Sequence, residues 1–247
     1  MSARLRALIV VLPAAHGCAW LEEQRAAPSE VYWSGYVLDG PNPDTGGLFE
    51  EGSFEVVDLE DAPVATAEPV DGSPGGWAVY VPVDTDVAIR LSGETYASTV
   101  WRAHTPTGRA YWYQGALFAR KAEDVLAFYD ELFDAELVTP HPDALREGGP
   151  AQLWGTPLDP EAWVGASIVV QDGDGQPAQI LAMTIEEDGS AHESGRTDPI
   201  DLFFAFDLAP GDVTLTVTAD AGAATEHFPA RAGDLLNPTF FALGPPQ

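Results

Sequence analysis

Two aspartates one residue apart, Asp172 and Asp174 in "VVQDGDGQPAQ", have the type and spacing of cation ligands. Oxygen ligands at alternate positions of a loop can wrap Ca²⁺, and such a loop takes a further oxygen ligand two residues on and an acid beyond it. Gln176 supplies only a weak ligand, and Met183 stands where the acid belongs. An Asp-Gly hairpin turn accounts for the same residues without an ion and is the preferred reading. Ca²⁺ at Asp172 and Asp174 is the one cofactor that the sequence leaves open.

Other chemistries lack their residues. His104, His141, His192 and His227 share no close spacing, and "AHESG" has no second histidine four residues on, so no zincin helix is present. No Gly-x-Ser-x-Gly nucleophile motif occurs. No glycine-rich loop follows a strand and opens a helix, as a nucleotide site requires. Acid pairs such as Glu50/Glu51 and Glu186/Glu187 read as solvated charge; with 39 acids, some pair near glycosidase spacing is expected by chance. The expectation is a protein that is not an enzyme.

A stretch with more promise is "TVWRAHTPTGRAYWYQGALFAR", residues 99–120. It collects Trp101, Arg102, His104, Arg109, Tyr111, Trp112 and Tyr113 in an otherwise acidic chain. Flat aromatic faces beside Arg and His donors suit a sugar ring or an anionic peptide. The alternative is that the aromatics fill a seam between domains while the cations offset nearby acids. Exposure decides between them: a solvent-facing Trp/Tyr platform favours a glycan, and burial of Trp101 and Trp112 opposes it.

Charge narrows the partners. The formal net charge is −28, and Lys121 is the only lysine. Such a surface repels phosphate backbones, which excludes nucleic acid, and it disfavours docking on anionic lipid. Its simplest role is solubility. Hydrophobic residues make up 45% of the chain, enough for a real core.

Cys18 is the only cysteine, so no intrachain disulfide can form. It follows "MSARLRALIVVLPAAHG", in which Arg4 and Arg6 precede a short apolar run and then small residues. That run falls short of the about 20 residues of a membrane-spanning helix and has the layout of a secretory signal. Cysteine directly after it resembles the lipobox of bacterial lipoproteins, where the signal is cut before a cysteine that then carries lipid. The resemblance implies a signal over residues 1–17, lipidation of Cys18, and a tether over 18–30. Ordinary secretion would leave an exposed thiol prone to oxidation outside the cell, which counts against it.

The elements that must position the candidate residues are mostly strands. "VYWSGYVLD", "SFEVVDL", "GGWAVYVPVDTDVAIRLSG" and "ASTVW" are short β-prone runs separated by Gly, Pro and Asp clusters. "KAEDVLAFYDELFDAEL", residues 121–137, instead has apolar residues at helical spacing with acids opposite, and Pro140 and Pro142 bar its continuation. From Ala151 strands resume: "WVGASIVVQD" and a return strand "AQILAMTIEEDG", then "DLFFAFDL", whose weak alternation suits burial on both faces, "VTLTVTA", and a closing "NPTFFAL".

"VGASIVVQDGDG" followed by "TDPIDLFFAFDLAPGDVTLTVTA" resembles the carboxypeptidase regulatory-like domain, a transthyretin-like sandwich, over most of residues 151–247. Residues 31–104 resemble a more divergent copy, with "GGWAVYVPVDTDVAIRLSG" matching "LFFAFDLAPGDVTLTVTA". The resemblance implies an accessory module; several relatives bind carbohydrate or mediate contacts, and fold does not fix function. The expected protein is mostly β: two tandem antiparallel, Ig-like or transthyretin-like sandwiches over 31–104 and 151–247, joined by a bridging segment 105–150 with one amphipathic helix. It is expected to be an exported lipoprotein of the cell envelope, anchored at the outer membrane, acting as a binding or scaffolding module. Its expected partners are the membrane through the lipid, and a glycan or an envelope protein; carbohydrate binding through residues 101–120 is the alternative role.

Overall fold

The computed structural model describes residues 28–39, 52–71, 73–134, 143–157, 159–187, 190–220 and 222–241. The leader, Cys18, His141, Glu50/Glu51 and helix positions 135–137 lie outside the described residues. Eight strands come first: β1 (Glu30–Asp39), β2 (Ser53–Val57), β3 (Pro63–Thr66), β4 (Glu68–Pro69), β5 (Gly76–Pro82), β6 (Asp86–Ser92), β7 (Thr99–His104) and β8 (Tyr111–Ala119). Helix α1 (Ala122–Asp134) follows. Then come β9 (Ala151–Pro157), β10 (Ser167–Gln171), β11 (Ile180–Ile185), β12 (Ala191–Glu193), β13 (Leu202–Leu208), β14 (Gly211–Ala219), β15 (Gly222–Ala230), β16 (Leu235–Leu236) and β17 (Thr239–Phe241).

The described strands form three sheets, and one of them takes strands from both halves. Its order is β12-β11-β13-β9-β16-β7-β6-β2-β3, with β17 added beside β9. β16 joins the two halves: Leu235 and Leu236 pair in parallel with Thr99 and Val100 of β7 on one side and with Gln152 and Leu153 of β9 on the other. The two expected sandwiches therefore share a sheet. Strands are mostly antiparallel, but β1 with β8 and the pairings of β16 and β17 are parallel.

Period-two alternation explains the layers. On one face of the shared sheet Val56, Val87, Ile89, Leu91 and Trp101 meet the outer sheet β4-β5-β1-β8, which contributes Val31, Trp33, Trp77 and Val81. Further along that face α1 lays Val125 and Tyr129 against Leu181, Met183, Phe204 and Phe206. The opposite face presents Ala88, Val100, Leu153, Phe203 and Ala205 to the second outer sheet, β10-β14-β15, whose Val213, Leu215, Val217 and Phe228 cover them. β13 is buried on both faces, as "DLFFAFDL" suggests: Phe203 and Ala205 face one layer, Phe204 and Phe206 the other. Gly155 on β9 is needed there, since a Cβ would lie 2.0 Å from the Phe203 ring.

Two local expectations change. "YWYQGALFA", assigned from sequence to the bridging segment, is β8, paired with β1 in the first outer sheet. The run "VVQDGDG…QILAM" pairs with itself only beside the turn, where Gln171 bridges Pro177 and the Ala178 amide donates to the Val170 carbonyl (2.9 Å); beyond it β10 pairs with β14 in an outer sheet and β11 with β13 in the shared sheet, so the turn carries the chain between layers.

A partly buried ion network also ties the halves. Arg90 on β6 is buried and donates to Asp234 (3.2 Å), to Asp61 (2.7 Å) and to the Pro229 carbonyl (2.7 Å). Arg231 donates to Asp61 (2.6 Å) and Glu55 (2.9 Å), and Asp234 also accepts from the Ser98 hydroxyl (2.5 Å) and the Arg231 amide (2.8 Å). Burial pushes the Asp234 carboxyl above the ordinary value, outweighing the Arg90 charge and the hydrogen bonds that favour its ionised form. At Asp61 burial acts in the same sense, but hydrogen bonds and charge from Arg231 and Arg90 overcome it, and the net shift is downward.

Candidate functional site

The outward positions of the first outer sheet carry the densest functional chemistry. On β1, Val31, Trp33 and Val37 point into the core, so Tyr32, Ser34 and Tyr36 face the other way. On β5, Trp77, Val79 and Val81 go in and Tyr80 goes out; on β8, Trp112 packs inward and Tyr111 and Tyr113 go out. Five of the chain's seven tyrosines thus share one face. Tyr80 is 63% exposed, Tyr111 55%, Tyr113 52% and Tyr36 38%.

Strand register sets their order. Tyr32 lies opposite Tyr80 on β5 and beside Tyr111 on β8, which makes a row across three strands. Ring centroids are 5.1 Å apart for Tyr32–Tyr80, edge to face, and 5.8 Å for Tyr32–Tyr111, with planes within 20°. Tyr36 and Tyr113 form a second, edge-on pair at 6.4 Å. Hydroxyls hold two rings in place: Ser34 Oγ lies 3.1 Å from the Tyr111 hydroxyl, and Ser73 Oγ donates to the Tyr36 hydroxyl at 3.1 Å. The remaining outward positions of β5 are Gly76, Ala78 and Pro82. Glu30 and Glu68 stand at the rim, so no charge lies among the rings at these positions. Beside the face opens a cleft of about 580 Å³, lined by Phe54, Pro69, Val70, Ser73 and Trp77.

The seven candidates from residues 101–120 are dispersed rather than gathered. Trp101 is core, 5% exposed between the first outer sheet and the shared sheet. Trp112 is half-buried and stacks on Trp33 at 4.9 Å with planes 13° apart. Trp101 offers no face to a ligand and one face of Trp112 is covered by Trp33, so the two do not form the shared tryptophan platform of the ligand-binding reading. Arg102 pairs with Asp86 at 3.0 Å, and His104 sits between Asp84 (3.3 Å) and Asp86 (3.1 Å), all at the far end of β6 and β7. Arg109 is exposed in the β7–β8 loop. Only Tyr111 and Tyr113 belong to the tyrosine face. Its other members, Tyr32, Tyr36 and Tyr80, escape a search for clustered aromatics, but they were marked by alternation: in "VYWSGYV" and "WAVYVPV" each tyrosine is out of phase with its Trp and Val neighbours.

At the aspartate pair the structure shows a turn. Asp172 Oδ1 accepts the amides of Asp174 (3.0 Å) and Gln176 (2.8 Å), an Asx-type arrangement. Gly175 takes a left-handed φ of +74°, and a Cβ on Gly173 would meet the Pro210 carbonyl at 2.1 Å. Among the described residues no group of three or more His, Cys, Asp or Glu side chains is placed to hold a metal ion. The other described histidines, His192 and His227, each sit on one acid: His192 on Glu186 (2.9 Å) and His227 on Asp212 (3.1 Å). Hydrogen bonding to the Glu193 carbonyl and to Glu186 raises the His192 pKa.

No family model matches the chain, and no curated protein matches it. Among solved structures it is similar to the TIE protein of Bacillus anthracis, at 9% identity and a TM-score of 0.29 over 85% of this chain and 34% of that one. It is also similar to a family 26 carbohydrate-binding module of Eubacterium rectale solved with maltoheptaose, at 10% and 0.24 over 85% and 92%. A third is the major pilin subunit of Bacillus cereus, at 9% and 0.27 over 80% and 67%. The chain spans about a third of the length of the TIE protein. These similarities carry no argument about function.

Proposed function

We propose that the chain is a non-enzymatic binding module of the cell envelope, exported and tethered through lipid on Cys18, which meets an uncharged, hydroxyl-bearing partner through its tyrosine face. The observation that carries the reading is the five tyrosines on one solvated sheet face. A sheet needs no such face to be stable in water, since short polar side chains suffice. Tyrosine supplies a flat apolar body with a polar tip and little rotamer entropy to lose on binding. The continuous shared sheet beneath makes a rigid base, which favours preorganised contact.

The test is tyrosine nitration of the full chain, mapped by peptide mass, with and without an envelope fraction from the source cells. Tyr80, Tyr111 and Tyr113 are expected to be protected by the fraction; equal nitration in both conditions contradicts the reading. For the tether, metabolic labelling with a clickable fatty acid is expected to mark the natural chain and to fail on Cys18→Ala. Equal labelling of both, or of neither, contradicts lipidation.

A further inference from the structure

Resting on that reading and going one step further, we propose that the tyrosine face binds an internal stretch of a neutral polysaccharide, laid across β5, β1 and β8 along the row Tyr80–Tyr32–Tyr111, with Tyr36 and Tyr113 holding the flank. Three observations converge on this ligand class. The first is charge. In a chain of net charge −28, the outward positions among the rings hold none, and the acids Glu30 and Glu68 are at the rim. A polyanion is repelled by the protein as a whole, and a polycation finds no carboxylate among the rings.

The second is hydrogen-bond chemistry. The tips of the face are hydroxyls of Tyr and Ser, already coupled as Ser34–Tyr111 and Ser73–Tyr36. Each hydroxyl donates and accepts, and sugar hydroxyls do the same. A proline-rich peptide, the other ligand that aromatic faces take, offers carbonyls that only accept, and it docks in grooves. The third is shape. Among the described residues the row crosses three neighbouring strands, its end members Tyr80 and Tyr111 are more than half exposed, and its rings succeed one another at 5.1 and 5.8 Å, the scale of one sugar ring. The C–H faces of sugars pack on aromatic rings while their hydroxyls reach the tips.

The experiment is affinity electrophoresis of the full chain in gels cast with single polymers: amylose, a β-1,3-glucan, hydroxyethyl cellulose and a mannan as neutral probes, polygalacturonate as the anionic control, and poly-L-proline as the peptide control. Retardation by at least one neutral polymer is expected, none by polygalacturonate, and a loss of at least tenfold in apparent affinity in Tyr80→Ala and in Tyr32→Ala. Tyr80→Phe, which keeps the ring, is expected to retain part of the binding and the melting temperature. No retardation by any neutral polymer, or equal retardation of natural and Tyr→Ala chains, overturns the proposal. So does binding to poly-L-proline instead, or a concentration-dependent dimer in sedimentation that Tyr80→Ala abolishes. If the nitration footprint with envelope material persists while every neutral polymer fails, the glycan is wrong and the binding face stands. If the footprint itself is absent, the face is wrong.

Discussion

Sheet β4-β5-β1-β8 and sheet β10-β14-β15 each turn one side to the shared sheet and the other to water, but they fill the wet side differently. The second carries Thr214, Thr216, Thr225 and His227, which largely satisfy one another: Thr216 with Thr225 at 3.2 Å, Thr214 with His227 at 3.3 Å, and His227 with Asp212 at 3.1 Å. The first carries Tyr32, Tyr36, Tyr80, Tyr111 and Tyr113, of which Tyr80, Tyr111 and Tyr113 are more than half exposed, Tyr36 is less so and Tyr32 is half-buried. Both solve the structural problem of a half-buried sheet with outward residues of good β propensity. Only one leaves large apolar rings exposed, and the difference isolates what stability does not explain.

The comparison holds if the inner faces are equivalent. Trp33→Ala and Phe228→Ala, each at a fully buried position, are expected to cost about 3–5 kcal/mol apiece in urea unfolding. A much smaller cost on one side would mean that the two layers are not comparable cores. Next in size is Asp234→Ala, which takes one of two close carboxylates from the buried Arg90 guanidinium, leaves it Asp61 and the Pro229 carbonyl, and is expected to cost about 2 kcal/mol. Because β16 still joins the halves, the variant should still unfold in one transition by circular dichroism and tryptophan fluorescence. Separate transitions would show the outer sheets to belong to independent units.

The outer faces should part in function and not in stability. Tyr80→Ala and Thr216→Ala are each expected to change stability by less than about 1 kcal/mol, the scale of a cross-strand pair. Only Tyr80→Ala should weaken polysaccharide binding, at least tenfold or about 1.4 kcal/mol. Thr216→Ala weakening it equally would erase the distinction.

The smallest effect is on pH dependence. Asp61 has a lowered pKa when folded, so its contribution is complete above the ordinary 3.8 and is lost as pH falls through the lower folded value. Asp234 has the opposite sign: with a raised folded pKa, the native state takes up its proton first, and stability is gained as pH falls from the raised value toward 3.8. Chemical melts between pH 3 and 6 should therefore lose less stability on acidification in Asp61→Asn, and more in Asp234→Asn, than in the natural chain.

Much of the strand plan was legible because alternation and turn residues are local. "DLFFAFDL" announced a doubly buried strand, and "KAEDVLAFYDELFDAEL" announced the helix seen over Ala122–Asp134. β16 was not legible, since two leucines carry no period and their pairing with β7 and β9 is set only by the assembled halves. β15, "GAATEHFPA", was missed because Ala, Thr and Glu positions beneath a sandwich edge do not read as apolar alternation. At the site, counting aromatics in residues 99–120 put Trp112 with Tyr111 and Tyr113. Strand parity separates them, since the middle residue of three on a strand must face the other way. The same parity links Tyr111 to Tyr32 and Tyr80, but only once the pairing of β8 with β1 and of β1 with β5 is known.

The central claim is that the tyrosine face, and no other surface, is where the protein binds. Selective ¹³C labelling of the tyrosine rings reports on it directly, because Tyr129, buried on the inner side of α1, lies off the face and serves as an internal reference. On titration with a neutral polysaccharide that retards the chain, ring signals of Tyr32, Tyr36, Tyr80, Tyr111 and Tyr113 are expected to shift while Tyr129 stays fixed. Binding that leaves those five signals unmoved would contradict the account.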